Sequence, residues 1–172
     1  MILKAFKEKS NQKYINNLLN ARRVAVRGTQ MKSVGVILNM NEFSDFDAFR
    51  AFFKALGLHE AKTKIIGFVE DPKDVNNLWD TFFNPKDFGW KGKINSIDLQ
   101  TFIDTEFDVL ISYYQEKHME LNLITAVSKA NFKVGLTNHD KRLYDLIIDL
   151  KVSQFSTFKN ELKKYLTVLN KL

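Results

Sequence analysis

Short continuous runs of apolar residues alternate along most of the chain with longer stretches in which apolar residues recur every three or four positions. Five runs predict strands that are buried on both faces, as in a sheet covered by helices on each side; they span residues 34–38, 65–69, 109–113, 132–136 and 146–150. The intervening stretches predict helices at 46–56, after Ser96, at 119–130, and from Ser153 or Ser156 onward. Strands that alternate with helices predict parallel pairing with right-handed crossovers.

Local signals mark the ends of the first helix in this series. Ser44 with Asp47 three residues later resembles a capping box, and Gly57 stands where the residue after a helix belongs. The segment 74–83 is less regular. Its apolar spacing predicts one more helix, built around Val75, Leu78, Trp79 and Phe82.

We therefore predict an α/β fold with a doubly wound, mostly parallel five-stranded sheet of the flavodoxin-like or Rossmann-like kind. A strand order of 2-1-3-4-5 is the expected arrangement. An extra amphipathic helix over residues 2–20 precedes this body, and residues 21–32 form a connector. The apolar stripe of that helix is predicted to consist of Leu3, Phe6, Tyr14 and Leu18.

Positive charge is concentrated at the start of the chain. The formal net charge is +6, yet residues 1–32 hold eight Lys and Arg against one Glu, and residues 33–172 hold 18 basic against 19 acidic groups. A basic chain average is therefore poor evidence that the body binds polyanions. The count predicts two parts, a basic helical arm with its connector over 1–32 and a single α/β domain over 33–172.

Composition narrows the class of protein further. At 172 residues the chain is long enough to bury a sizeable core without staples. Cysteine is absent, which excludes disulfides, thiolate metal sites and cysteine nucleophiles. The sequence shows neither the apolar region of a secretory signal nor a run long enough to span a membrane, so we expect a cytoplasmic protein.

Polar residues follow two of the predicted strands at the point where each strand ends. Asn39, Asn41 and Glu42 end the first strand, and Ser112 and Tyr113 end the third. If these strands are neighbours at the switch point of the sheet, their tips define the default ligand crevice. Hydroxyls, amides and a carboxylate would suit a small polar ligand.

Two further residues are candidates for this crevice. Trp90, in the glycine-containing loop 89–93, could stack on a ring, and His139 follows the fourth strand and titrates near neutral pH. The structural alternatives are favoured for both: Trp90 fills a gap beside the core, and His139 belongs to a turn. His118 and Glu120 are too closely spaced and too isolated to predict a metal site.

The standard catalytic and nucleotide-binding motifs are absent. Neither the dinucleotide fingerprint G-x-G-x-x-G nor the P-loop occurs, and Asn39–Glu42 follows the first strand in place of a glycine turn. No nucleophile elbow surrounds Ser112. We predict no cofactor and no metal, and any catalytic residues stay unknown. Whether the protein is an enzyme stays open, with the balance against it.

Four phrases carry a resemblance to known sequences: FFNPKDFGWKGKI (82–94), DVLISYY (108–114), LNLITAVSKANFKVG (121–135) and YDLIIDL (144–150). The chain resembles a family of uncharacterised bacterial proteins, mostly from Bacteroidetes, that is classed as a domain of unknown function. The resemblance covers nearly the whole chain and implies no activity, cofactor or catalytic residue. Residues 108–135 alone resemble the N-terminal domain of heptosyltransferase-type glycosyltransferases, which supports the fold and not sugar transfer.

Two functional hypotheses follow. The first is a non-enzymatic binding or assembly module that contacts a second copy or a partner protein through residues 1–32, with nucleic acid and membrane surfaces disfavoured as partners. The alternative is a small-molecule-binding enzyme or sensor that uses the polar crevice at the strand tips.

Overall fold

The computed structural model describes residues 1–22, 28–75, 77 and 79–172. These residues form one parallel sheet of six strands: β1 (Val34–Asn39), β2 (Thr63–Phe68), β3 (Thr81–Phe83), β4 (Val109–Tyr113), β5 (Lys133–Gly135) and β6 (Leu146–Ile147). The five α-helices of the described residues are α1 (Ile2–Ala21), α2 (Phe46–Ala55), α3 (Ile97–Asp104), α4 (Met119–Val127) and α5 (Phe155–Val168). Short 3₁₀ turns lie at Glu60–Lys62, Pro72–Asp74, Pro85–Asp87 and Lys141–Leu143.

Alternating side chains send each central strand into two separate cores. Val36 and Leu38 of β1 pack into one core with α2 and α5, whereas Ile37 packs into the other with α1, α3 and α4. All six residues of β1 and all five of β4 are buried, because helices cover both faces of the sheet. This confirms the predicted doubly wound α/β arrangement.

The strand order is β3-β2-β1-β4-β5-β6. The five predicted strands correspond to β1, β2, β4, β5 and β6, so their predicted order is confirmed. The predicted number is wrong, because β3 adds a sixth strand outside β2 and completes the order 3-2-1-4-5-6 of dinucleotide-binding folds.

The additional strand lies where a helix was expected. Within 74–83 the described residues form a turn and then β3, and Leu78 lies outside the described residues. Trp79, expected on the inner face, is 93% exposed. The side-chain oxygen of Asn77 accepts hydrogen bonds from the backbone N–H groups of Trp79 and Asp80, which favours a turn over a helix at this point.

The first helix is present as predicted, but the face that it buries overlaps the predicted stripe only in part: Tyr14 is half-buried against the core, and Leu18 is half-buried as well. The residues of α1 that are buried are Asn11, Ile15 and Leu19, and α1 lies against α4. Leu3 and Phe6 of the predicted stripe are exposed. Asn11 is buried because its side chain donates to the carbonyl of Gly89 at 3.0 Å and accepts from the N–H of Gly92 at 2.8 Å. The connector after α1 includes residues 23–27, which lie outside the described residues.

The helix ends agree with the sequence signals in part. Ser96 caps α3 by accepting from the N–H of Leu99, and Gly57 after α2 has a φ of 88°. The cap of α2 is Asp45 and not Ser44, since the Asp45 carboxylate accepts from the N–H of Ala48. The residue before α5 is Gln154, so neither serine predicted to start that helix does so.

Candidate functional site

Strands β1 and β4 are neighbours whose following helices, α2 and α4, pack on opposite faces of the sheet. This is the switch point at which α/β folds usually bind ligands. Here the Glu42 carboxylate occupies the gap: Oε1 accepts from the N–H groups of Gln115 at 2.8 Å and Glu116 at 3.1 Å, and Oε2 accepts from the Asn39 side chain at 3.1 Å. The side-chain oxygen of Asn39 in turn accepts from the N–H of Asn41. A carboxylate of the chain itself therefore satisfies the backbone donors of this crevice.

Ser112 and Tyr113 point away from the crevice into the two cores. The Ser112 hydroxyl lies 2.7 Å from the hydroxyl of Thr125 on α4. The Tyr113 ring packs among phenylalanines on the other face, and its hydroxyl donates to the carbonyl of Val152 at 2.7 Å. Burial raises the pKa of the Tyr113 phenol well above its usual range, so its proton is held under ordinary conditions. Both side chains are partnered inside the fold and do not line the strand tips.

The remaining two predicted residues stand in separate loops. Trp90 is half exposed in the loop between β3 and α3, and the N–H of the next residue, Lys91, donates to the hydroxyl of Ser10 on α1. His139 is exposed in the loop after β5, where its N–H donates to Thr137. The structure therefore joins Asn39, Asn41 and Glu42 in one hydrogen-bonded group and leaves the other four candidates elsewhere. That any of the seven contacts a ligand stays a prediction.

A histidine that sequence reasoning passed over has the most charged surroundings at this edge of the sheet. His118 directly precedes α4, and its side chain is only 16% exposed. Its Nε2 lies 3.0 Å from Oε1 of Glu70, which follows β2, and its Nδ1 lies 3.2 Å from Oε2 of Glu120. The ring also packs edge-on against Phe68 with 4.4 Å between centroids.

Two opposing effects set the charge of this histidine. Burial disfavours the imidazolium, but the interactions with Glu120 and Glu70 outweigh burial and raise the pKa of His118. Burial likewise disfavours the charged form of Glu120, and His118 prevails there and lowers the pKa of that carboxyl. The contact between Nδ1 and Glu120 falls outside hydrogen-bond geometry, and it is an ion pair when His118 is protonated.

A cavity of about 330 Å³ opens between the loops that follow β1 and β2. Its lining residues are Met40, Asn41, Ser44, Val69, Glu70, Asp74, Asn77 and Phe82. Among the described residues no Lys or Arg lines it. Of the seven residues predicted for the crevice, Asn41 alone lines this cavity. Glu70 also lines it and is the residue whose carboxylate contacts His118.

In the described part of the chain, no three His, Asp, Glu or Cys side chains lie together in an arrangement that could hold a metal ion. None of the helices formed by the described residues is both long and apolar enough to span a bilayer.

The fold and the strand tips together define a parallel α/β protein with the strand order of dinucleotide-binding domains and without their phosphate loop. A model of a family of unknown function, DUF6913, matches residues 7–169, and the chain belongs to that family. The predicted resemblance to a family of unknown function that covers nearly the whole chain is thereby confirmed. No curated protein and no solved structure matches the chain.

Proposed function

We propose that this protein is a binding module that docks on an acidic surface of a partner protein through one face of α1. We call this surface the outward face and define it by Ile2, Phe6, Lys9 and Lys13. The observation that carries the proposal is the arrangement of apolar residues around α1, which has two apolar sides although only one of them packs against the body.

Helical geometry separates the two sides. Phe6 and the buried Ile15 are nine residues apart, which is two and a half turns at about 3.6 residues per turn, so they lie on opposite sides of the helix. The same spacing separates Ile2 from the buried Asn11. Ile2 is 74% exposed and Phe6 is 58% exposed, with exposed Leu3 between them.

Such a group is unusual for a surface helix. Single exposed apolar side chains are common, whereas neighbouring ones on consecutive turns mark a contact surface. Burying Phe6 in a partner would contribute roughly 1.5–3 kcal/mol to binding before the costs of association. The outward face is thus able to contribute to affinity.

Charge selects the kind of partner. Lys9 and Lys13 lie on the same side of α1 as Phe6, three and seven residues away, and both are exposed. The one acidic residue of α1, Glu8, is turned toward Lys4 with 4.0 Å between their charged groups. Two copies meeting through this face would bring lysines together, so a different protein with acidic side chains fits better than self-association.

Two other partners fit the outward face less well. A nucleic acid backbone would pair with the lysines but offers nothing to Ile2 and Phe6. A bilayer would take the apolar residues, but Asn17 and Asn20 continue the same side of the helix and interrupt its apolar character. An apolar pocket with an acidic rim on a protein accommodates the whole face.

Site-specific crosslinking in cells that naturally make the protein tests the proposal. A photoreactive phenylalanine derivative at position 6 should crosslink one polypeptide through an acidic segment. The same group at Ile97, which is exposed at the start of α3, serves as the matched control and should not capture that polypeptide. Crosslinks to lipid, to nucleic acid or to copies of this chain, or the same products from both positions, would contradict it.

Affinity measurements on the captured pair complete the test. Phe6→Ser should weaken binding roughly tenfold or more, since truncating a buried aromatic side chain removes about that much affinity. Lys9→Glu should weaken binding most at low salt. Neither change should alter thermal unfolding, because both side chains are exposed.

A further inference from the structure

We infer that the cavity between the loops after β1 and β2 is a binding site for a neutral, polyhydroxylated ring. The ring would be the sugar of an unphosphorylated nucleoside or a free monosaccharide. This site is separate from the outward face of α1 and does not depend on it.

The position of the cavity supports a sugar. In sheets with the order 3-2-1-4-5-6, ligands lie beyond the carboxyl ends of the strands, and an acidic residue about 20 positions after the first loop accepts hydrogen bonds from ribose hydroxyls. Here Glu70 comes two residues after the end of β2 and lines the cavity. Its carboxylate is held by Nε2 of His118 at 3.0 Å, which keeps an acceptor at this position.

The places where such folds hold phosphate are already filled. At the start of α2, Oδ1 of Asp45 accepts from the N–H of Ala48 at 2.9 Å. At the switch point, Glu42 accepts from the N–H groups of Gln115 and Glu116. A phosphorylated ligand would find these donors occupied by carboxylates and would also face Glu70, so the ligand has to be uncharged at this end.

The lining suits a sugar ring better than an amine. Met40, Val69 and Phe82 provide an apolar wall on which the C–H face of a ring can pack, and Asn41 and Ser44 carry groups that both donate and accept. Two carboxylates would favour a cation if both were free. Because His118 already faces Glu70, only Asp74 would be left to balance an added positive charge.

Titration of the full chain, followed by NMR of its backbone amides, tests the inference. The probes are adenosine, uridine, ribose and glucose, with adenosine monophosphate and putrescine as discriminating controls. We expect saturable shifts at the cavity residues with at least one neutral probe, and affinity at least tenfold weaker for the monophosphate than for adenosine. Binding of nucleosides without binding of ribose or glucose would identify the ligand as a nucleoside, and binding of the free sugars would identify a monosaccharide.

Variants tie binding to the cavity. Asp74→Asn and Ser44→Ala should each weaken the neutral probe roughly tenfold, whereas Glu106→Gln, an exposed carboxylate outside the cavity, should leave it unchanged. The inference is overturned if no neutral probe binds at millimolar concentration, if putrescine alone binds, or if the monophosphate binds as tightly as adenosine. The crosslinking test of α1 is unaffected by each of these outcomes.

Discussion

The two edges of the sheet use their polar residues in different ways. At the amino-terminal edge, the side chain of Asp145 is 3% exposed, and both of its oxygens accept from the guanidinium of Arg22, at 2.7 and 2.8 Å. Asp145 also accepts from the backbone N–H of Lys133 at 2.8 Å, and the Lys133 ammonium donates to the carbonyl of Thr125 at the end of α4. At the carboxyl-terminal edge, a cavity with two carboxylates stays open beside His118.

This contrast separates structural charges from candidate functional ones. The amino-terminal cluster consists of Arg22, Lys133 and Asp145. It joins α1, α4, β5 and the turn before β6, so its charged groups bind one another and the backbone within the fold. At the carboxyl-terminal edge, Glu42 accepts from the backbone N–H groups of the loop after β4, and other polar side chains line the open cavity. Four substitutions, taken from the largest expected effect to the smallest, test how firmly this division holds.

Asp145→Ala should destabilise the protein by about 3 kcal/mol, because it removes the buried carboxylate that pairs with the partly exposed Arg22 guanidinium and accepts from the N–H of Lys133. Chemical denaturation followed by circular dichroism measures the loss. Asp149→Ala, a nearby exposed carboxylate, is the control and should change stability by less than about 0.5 kcal/mol. Equal effects of the two substitutions would show that the amino-terminal cluster is not the structural clamp described here.

Lys133→Met should change how stability depends on pH. Burial chiefly lowers the pKa of Lys133, to about 8 from an ordinary 10.5, and nearby Arg22 lowers it further against the attraction of Asp145. Between these two values the unfolded chain binds the proton more tightly than the folded one, so stability contributed by this group rises with pH. Relative to the variant, the wild type should gain about 2 kcal/mol between pH 8 and pH 10. Parallel stability curves for the two proteins would contradict this.

Glu42→Ala should cost about 1–2 kcal/mol, less than the loss of Asp145, because water reaches the freed amides of Gln115 and Glu116. Glu42→Gln keeps an oxygen acceptor and should recover about half of the loss. Hydrogen exchange at the Gln115 amide should speed up in the alanine variant, which localises the effect. An unchanged exchange rate would mean that Glu42 does not hold this loop.

Sequence patterns were sufficient for the central strands, where burial on both faces leaves a continuous apolar run. The bounds predicted for β4 agree with those observed, Val109–Tyr113. The pattern failed at β3, which has three residues of which only Phe83 is buried. It also placed the stripe of α1 too far toward Leu3 and Phe6, which are exposed, because the buried face is centred on residues that include Asn11, which contacts a loop about 80 positions along the chain.

The candidate site shows the same limit. Ser112 and Tyr113 were placed correctly along β4, but alternation directs them into the two cores rather than toward the strand tips. The pairing of His118 with Glu70 spans 48 positions and leaves no local motif. One signal was present: both residues follow strands whose carboxyl ends share an edge of the sheet.

His118→Gln should have the smallest effect and the most informative pH dependence. The pKa of His118 is raised in the folded protein by Glu120 and Glu70, so the protonated ring stabilises the fold. That contribution is complete below the unfolded pKa of about 6.5 and is lost as pH rises through the higher folded value. The variant should therefore be about 1 kcal/mol less stable than the wild type at pH 5 and nearly equal to it at pH 9. His139→Gln, at an exposed histidine, is the control and should change the free energy of unfolding by less than about 0.5 kcal/mol. If the His118 variant were equally destabilised at both pH values, the ring would act by packing on Phe68, and the charge that distinguishes this edge of the sheet would lie with the carboxylates alone.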